Sequence, residues 1–269
     1  MTNARRGSDR AELWPLFASE LVGTGLLVLV GLSVVIFDLG TGTPMAKLIP
    51  NEAFRRLITG FLFGGAGAMI ALSRVGKVSG AHINPIVSLG FYLVCKLDFR
   101  VTLGCIVAQL VGGVLGALPL LAWGAMGRSV AFGATAPGPG YSTWEALLGE
   151  VITTFAMVAL LYLFLSFRES RPYTPALFPF LYSVMVYIEA PASGTSTNPA
   201  RSLGPATISG TWQAWWIYWL GPLLGMLAAV IACSHVVDRI EVAKLYYFDT
   251  HHPRFLKNRQ RGRTHAPDT

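Results

Sequence analysis

Six stretches of this 269-residue chain contain no charged side chain: residues 21–37, 57–73, 101–127, 151–167, 172–188 and 202–237. Each reaches the roughly 17 residues that a helix needs to cross the hydrocarbon core of a bilayer. Inside lipid a spanning segment must satisfy its own backbone N–H and C=O groups, and an apolar run of this length does so as an α-helix. The pattern predicts an all-α polytopic membrane protein. Composition agrees, with 53% hydrophobic and 13% charged residues, where a soluble chain carries about 25% charged. A disordered chain, a coiled coil and an ordinary soluble globule are excluded.

The 21 Lys and Arg against 14 Asp and Glu would suit nucleic acid if they shared one soluble face. They lie instead near the ends of the spans, so no nucleic-acid partner is expected. With six spans and both termini in the cytoplasm, 16 of the 21 fall inside; Lys47, Arg55, Arg56, Arg128 and Arg201 do not. That asymmetry obeys the positive-inside rule and sets the expected orientation, in a plasma (inner) membrane. The basic tail after Tyr246 reads as a solvated topology anchor near the headgroups. Cys95, Cys105 and Cys233 sit in apolar runs without paired spacing, so neither a disulfide nor a metal site is expected. A polar N-terminus and an overlong first apolar run argue against a cleavable signal peptide.

The expected organisation is a cytoplasmic segment 1–12, a first repeat 13–126, an outer loop 127–143, a second repeat 144–238 and a basic cytoplasmic tail 239–269. Spans are expected at 13–37, 54–73, 101–126, 144–167, 174–190 and 212–237. Two further apolar runs, 84–95 and 198–208, are too short to cross and read as half-helices. They belong to a repeat. Residues 79–90 (SGAHINPIVSLG) align without gaps on 193–204 (SGTSTNPARSLG), with seven of twelve positions identical at an offset of 114. Glu20 in span 1 corresponds to Glu150 in span 4, and the Gln109 segment in span 3 to the Trp219 segment in span 6. Three spans per half make the second half enter from the opposite side, an inverted repeat. Paired short Pro-marked segments in inverted halves point to a translocation path.

Asn is a preferred N-cap and Pro suits the first helical position, so Asn84-Pro85-Ile86 and Asn198-Pro199-Ala200 each open a short helix. Two such helices entering from opposite faces bring their positive dipole ends together near the midplane. The loops before them, Gly80-Ala81-His82-Ile83 and Gly194-Thr195-Ser196-Thr197, are expected to be extended and to offer carbonyl acceptors to a cavity. With each Asn oxygen used in capping, each NH2 is left as a lumen donor. Such a site suits a neutral hydrogen-bonding solute and repels cations and protons.

An ionised side chain at a helix centre costs roughly 2.5–3.5 kcal/mol on insertion scales, so each needs a partner or a role. Glu20 and Glu150 are expected to accept hydrogen bonds from the loop of their own half; as proton relays they would instead indicate a coupled transporter. Arg201, one turn into the second half-helix, is expected at the outer pore mouth, with Glu189 as its partner or facing water.

The two Asn-Pro boxes, Ser79-Gly80-Ala81-His82, Ala200-Arg201-Ser202-Leu203-Gly204, Glu20, Glu150 and Tyr218-Trp219-Leu220-Gly221-Pro222 together resemble the major intrinsic protein (aquaporin) family over roughly residues 12–238. The resemblance implies six tilted helices with two half-helices, and a homotetramer with one pore per protomer. It departs at Ile86, where the family usually has Ala, adding bulk where the half-helices abut. It implies an outer constriction which, counted without gaps from the boxes, falls on Gly64, Val186, Thr195 and Arg201. Phe63 stands one position earlier. Gly64 and Val186 replace the aromatic and the His of strict water channels, which implies a wider opening. Ser202, where glycerol facilitators carry Asp, and Tyr218-Trp219 follow the water-channel pattern instead.

The expected function is a passive channel for water and small uncharged solutes (glycerol, urea or metalloid acids) that excludes protons and ions. No cofactor is implied, and no residue does chemistry. A strictly water-selective channel is the alternative. A proton-coupled transporter would need Glu20 and Glu150 to titrate. An intramembrane enzyme would need His82 beside Ser193 or Ser196, with a third orienting group that the sequence does not supply.

Overall fold

The computed structural model describes residues 2–238 and Ile240, and for residues 2–12 the backbone alone. The rest of the predicted basic tail lies outside the described residues. Eight helices carry the architecture: α1 (Thr2–Leu39), α2 (Glu52–Leu72), α3 (Pro85–Leu93), α4 (Phe99–Ala117), α5 (Thr143–Ser166), α6 (Thr174–Glu189), α7 (Pro199–Ser209) and α8 (Ile217–Ala232). Short helical turns link them, and no strand occurs among the described residues. Six helices are long, and α3 and α7 are the expected half-helices.

Among the described residues, four helical spans are long and apolar enough to cross a membrane by length and composition: Leu13–Leu39, Glu52–Leu72, Phe99–Ser129 and Thr143–Ser166. The third continues α4 through a 3-10 turn, Leu118–Trp123, that contains Pro119, and a short helix, Gly124–Ser129. Spans 5 and 6 are shorter than the sequence suggests. Helices α6 and α8 have 16 residues each, about 24 Å at 1.5 Å per residue. Flanking turns make up the remainder, Arg171–Tyr173 before α6 and Ser234–Val237 after α8. The predicted start of span 6 at Trp212 is irregular backbone up to Ile217. Exposed Trp and Tyr side chains lie near helix ends, as expected at the faces of a bilayer. Trp144, Trp212, Trp215 and Trp216 lie near the starts of α5 and α8, where the Trp144 and Trp216 rings are 6.1 Å apart; Trp14, Phe99 and Tyr173 mark the starts of Leu13–Leu39, α4 and α6.

Helices pair as the inverted repeat requires: α1 with α4, its counterpart α5 with α8, and α2 with α6 through the centre. Lipid supplies no hydrophobic drive for helix association, so close backbone approach at small residues takes over. A Cβ at Gly60 would run into the Tyr182 carbonyl, and one at Gly116 into the Gly25 backbone. Gly113 and Gly204 likewise bring α4 against α7, with the Ala200 carbonyl where a Gly113 side chain would stand. These contacts hold α7 close against α4.

Candidate functional site

Each half-helix begins as its box dictates. Asn84 is extended (φ −155°) and its Oδ1 accepts from Ile86 N at 2.9 Å, with Pro85 in the first turn. Asn198 (φ −147°) accepts from Ala200 N at 3.0 Å and Arg201 N at 3.3 Å. The side-chain amides are not wholly free, contrary to the sequence expectation. Asn84 Nδ2 donates to the Thr197 carbonyl at 2.9 Å, and Asn198 Nδ2 donates to the Ile83 carbonyl at 2.8 Å. One N–H of each amide thus closes the opposite loop, and the second is left for the cavity that both residues line.

The loops are not extended either. Positive φ occurs at Gly80 (98°), Ala81 (53°) and Ile83 (44°), and again 114 positions on at Gly194 (90°), Thr195 (50°) and Thr197 (52°). For β-branched Ile83, Thr195 and Thr197 this is sterically unfavourable by about 1–3 kcal/mol each. The compensation is visible. His82 N and Ile83 N both donate to the Glu20 carboxylate, at 3.0 and 2.7 Å. Ser196 N and Thr197 N both donate to Glu150, at 2.7 and 2.8 Å, joined by Ser193 Oγ at 2.6 Å. In an extended strand two successive N–H groups point to opposite sides; here both face one carboxylate. Because the peptides are trans, the carbonyls of Ala81 and His82, and of Thr195 and Ser196, turn away from the carboxylates.

Glu20 and Glu150 are fully buried, so their carboxyl oxygens depend on hydrogen-bond donors within the protein. Two side chains that the sequence reading named without a supporting role complete the frame. Gln109 Nε2 donates to Glu20 at 2.7 Å and to Ser88 Oγ at 2.9 Å, and Tyr218 Oη donates to the Ser193 carbonyl at 2.8 Å. Gln109 carries the one side-chain amide in the charge-free run 101–127, a signal that could have drawn attention to it.

Two cavities lie along this axis. The inner one is lined by α2 from Phe63 to Ala71, by His82, Ile83, Asn84 and Asn198, and by Met157, Phe178 and Tyr182. The outer one is lined by Phe63, Tyr182, Val186, Gly194, Thr195 and Arg201, with Gly133 to Thr135 of the outer loop. Water-sized molecules have about 50 Å³ for their centres in the inner cavity and about 310 Å³ in the outer. The inner cavity is the smaller of the two. Phe63 and Tyr182 belong to both linings.

Three of the four residues counted to the constriction, Val186, Thr195 and Arg201, share the outer cavity; Gly64 does not. Gly64 offers only backbone to the inner cavity, and a Cβ there would run into the Phe178 carbonyl of α6. The α2 side chain that reaches the others is Phe63, whose ring centroid lies 5.8 Å from Arg201 Cζ. Phe63 stands one residue before the counted Gly64, and one residue turns a helical side chain by 100°.

Arg201 is buried and donates from Nη1 to the Gly133 carbonyl at 2.7 Å. Glu189 turns elsewhere: it is buried and accepts the Thr195 hydroxyl. Ser202 Oγ pairs with Ser196 Oγ and, at 2.8 Å, with Thr135 Oγ1. Ile86 and Ala200 are buried and line neither cavity, so the bulk of Ile86 lies off the path. His82 Nδ1 pairs with Ser88 Oγ at 3.0 Å, while Ser193 serves Glu150 and Ser196 the Asn198 carbonyl.

Residues 8–233 match the family described as major intrinsic protein. The chain belongs to that family. Aquaporin AqpM of Methanothermobacter marburgensis is 32% identical over 188 residues, 66% of this chain and 76% of the relative. A probable aquaporin PIP2-7 of Oryza sativa subsp. japonica is 34% identical over 253 residues, 88% and 85% of the two chains. The fold resembles the crystal structure of the aquaglyceroporin from Plasmodium falciparum, with a TM-score of 0.63 and 18% identity over 84% of this chain and 96% of that one. Like the rest of its aquaporin family, this integral membrane protein is a passive channel for water and small solutes.

Proposed function

We propose that this aquaporin conducts water ahead of glycerol, urea and metalloid acids, and excludes protons and cations. The carrying observation is the exchange of amides between Asn84 and Asn198, which leaves one N–H donor on each at the meeting point of two helix N-termini. Donors and positive dipole ends favour the oxygen of a neutral solute and oppose a cation. Arg201 adds a fixed charge at the outer mouth. With Phe63 rather than Gly64 facing Arg201, the opening is narrower than the sequence count implies, which supports the water-first order. Val186 supports passage of larger solutes, since a small apolar side chain stands there. Glu20 and Glu150 act as loop supports, not relays. The channel sits in the plasma membrane as a homotetramer, with both termini cytoplasmic.

The test is light scattering from reconstituted liposomes after osmotic shock, in sucrose and then in glycerol. Shrinkage well above that of empty liposomes in both, unchanged between pH 5 and pH 8 and followed by slow re-swelling in glycerol, is expected. Rapid re-swelling would reinstate the wide solute channel; no acceleration at all, or pH-dependent flux, would overturn the reading.

A further inference from the structure

The two cavities do not part at Arg201 alone. Between the outer vestibule and the midplane asparagines stands Tyr182 of α6, which lines both. It is held at three points. Its backbone carbonyl lies where a Gly60 side chain would be, so α6 cannot draw back from α2 without opening that crossing. Its ring stacks between Phe63 (centroids 5.7 Å apart, 29° between planes) and Phe178 (6.3 Å, 29°). Its hydroxyl lies 2.7 Å from Thr197 Oγ1.

That hydrogen bond belongs to a small network: the Thr197 hydroxyl also lies 2.8 Å from the Ser196 carbonyl, and the Tyr182 hydroxyl also donates to Met157 Sδ at 3.3 Å. Thr197 is also the residue whose carbonyl receives the Asn84 amide. The ring is thus tied to the midplane itself.

We propose that Tyr182, braced by Phe63 and Thr197, is a second size-selecting constriction below the Arg201 level, and that it sets the upper solute size together with Phe63. This rests on reading the two cavities as one solute path. A ring fixed at three points acts as a rigid collar and not as a swinging gate. Solutes with the cross-section of glycerol meet it after they have passed Val186, Thr195 and Arg201.

The experiment uses the full chain in liposomes, wild type beside Tyr182→Ala, Tyr182→Val and Tyr182→Phe, with water and glycerol permeability read on the same vesicles. Removing the ring is expected to raise the glycerol-to-water permeability ratio by about fivefold or more in the Ala or Val variant, the scale on which a missing steric block acts. Tyr182→Phe keeps the ring and loses the tie to Thr197, and should stay within about twofold of wild type in that ratio. An unchanged ratio in whichever of the Ala and Val variants conducts water normally would overturn the proposal. A wild type that shows no water flux would instead defeat the channel reading on which it rests.

Discussion

Asn198 reaches across the inverted repeat and donates its side-chain amide to the carbonyl of Ile83 at 2.8 Å. The residues are 115 positions apart, yet the bond and its mirror from Asn84 to Thr197 hold two strained loops end to end. Neither half can complete its loop alone, because the acceptor that satisfies each asparagine belongs to the other half.

Asn198→Asp removes that donor and sets a carboxylate against the Ile83 carbonyl. The variant should lose about 1–3 kcal/mol of stability, as expected when a buried acceptor loses its partner. It should also leak protons or monovalent cations, read with a pH-sensitive dye or as conductance in planar bilayers. Wild-type tightness to ions would count against the midplane mechanism.

Glu150→Gln exchanges one acceptor oxygen for an NH2 group among three donors, Ser193 Oγ, Ser196 N and Thr197 N. At least one buried N–H or O–H then faces another donor, at about 1–3 kcal/mol. The thermal unfolding temperature in detergent should fall, and water flux with it. Abolished flux at an unchanged unfolding temperature would favour a proton relay instead.

Phe63→Ala and Gly64→Trp separate two assignments of the constriction. Removal of the Phe63 ring should raise glycerol permeability relative to water. Gly64→Trp drives a side chain into the Phe178 carbonyl and should lower the yield of folded protein, since overpacking a tight helix crossing costs about 1–3 kcal/mol or more. A well-folded Gly64→Trp channel with reduced glycerol flux and normal water flux would restore Gly64 to the pore.

Gly113→Ala and Gly65→Ala form a matched pair on α4 and α2. A Cβ at Gly113 would meet the Ala200 carbonyl in the second half-helix, whereas one at Gly65 meets nothing within 4 Å. Gly113→Ala should lower both the unfolding temperature and the water flux by displacing Asn198. Gly65→Ala should leave both near wild type. Equal behaviour of the two would show that helix approach at Gly113 does not set the depth of α7.

Much of this was legible in the residue order. Charge-free runs fix where helices lie because lipid offers no other partner for the backbone. The Asn-Pro boxes mark the half-helices because capping and proline geometry are local properties, and the matching positions of Glu20 and Glu150 followed from the repeat. What escaped were relations between distant segments. The positive φ of Ile83, Thr195 and Thr197 runs against the preference of β-branched residues and exists because a buried carboxylate collects both N–H groups of each loop.

The sequence by itself pointed to an all-helical membrane fold with two short half-helices opened by Asn84-Pro85 and Asn198-Pro199, since these rest on solvation and capping that act over a few neighbours. Tertiary structure decided which side chains line the two cavities. Whether Phe63 or Gly64 meets Arg201, whether Glu189 pairs with Arg201 or with Thr195, and whether Tyr182 stands in the path depend on how helices are rotated about their axes. That rotation is set by glycine crossings such as Gly60 on Tyr182 and Gly113 on Ala200, contacts between segments far apart in sequence that no local pattern encodes.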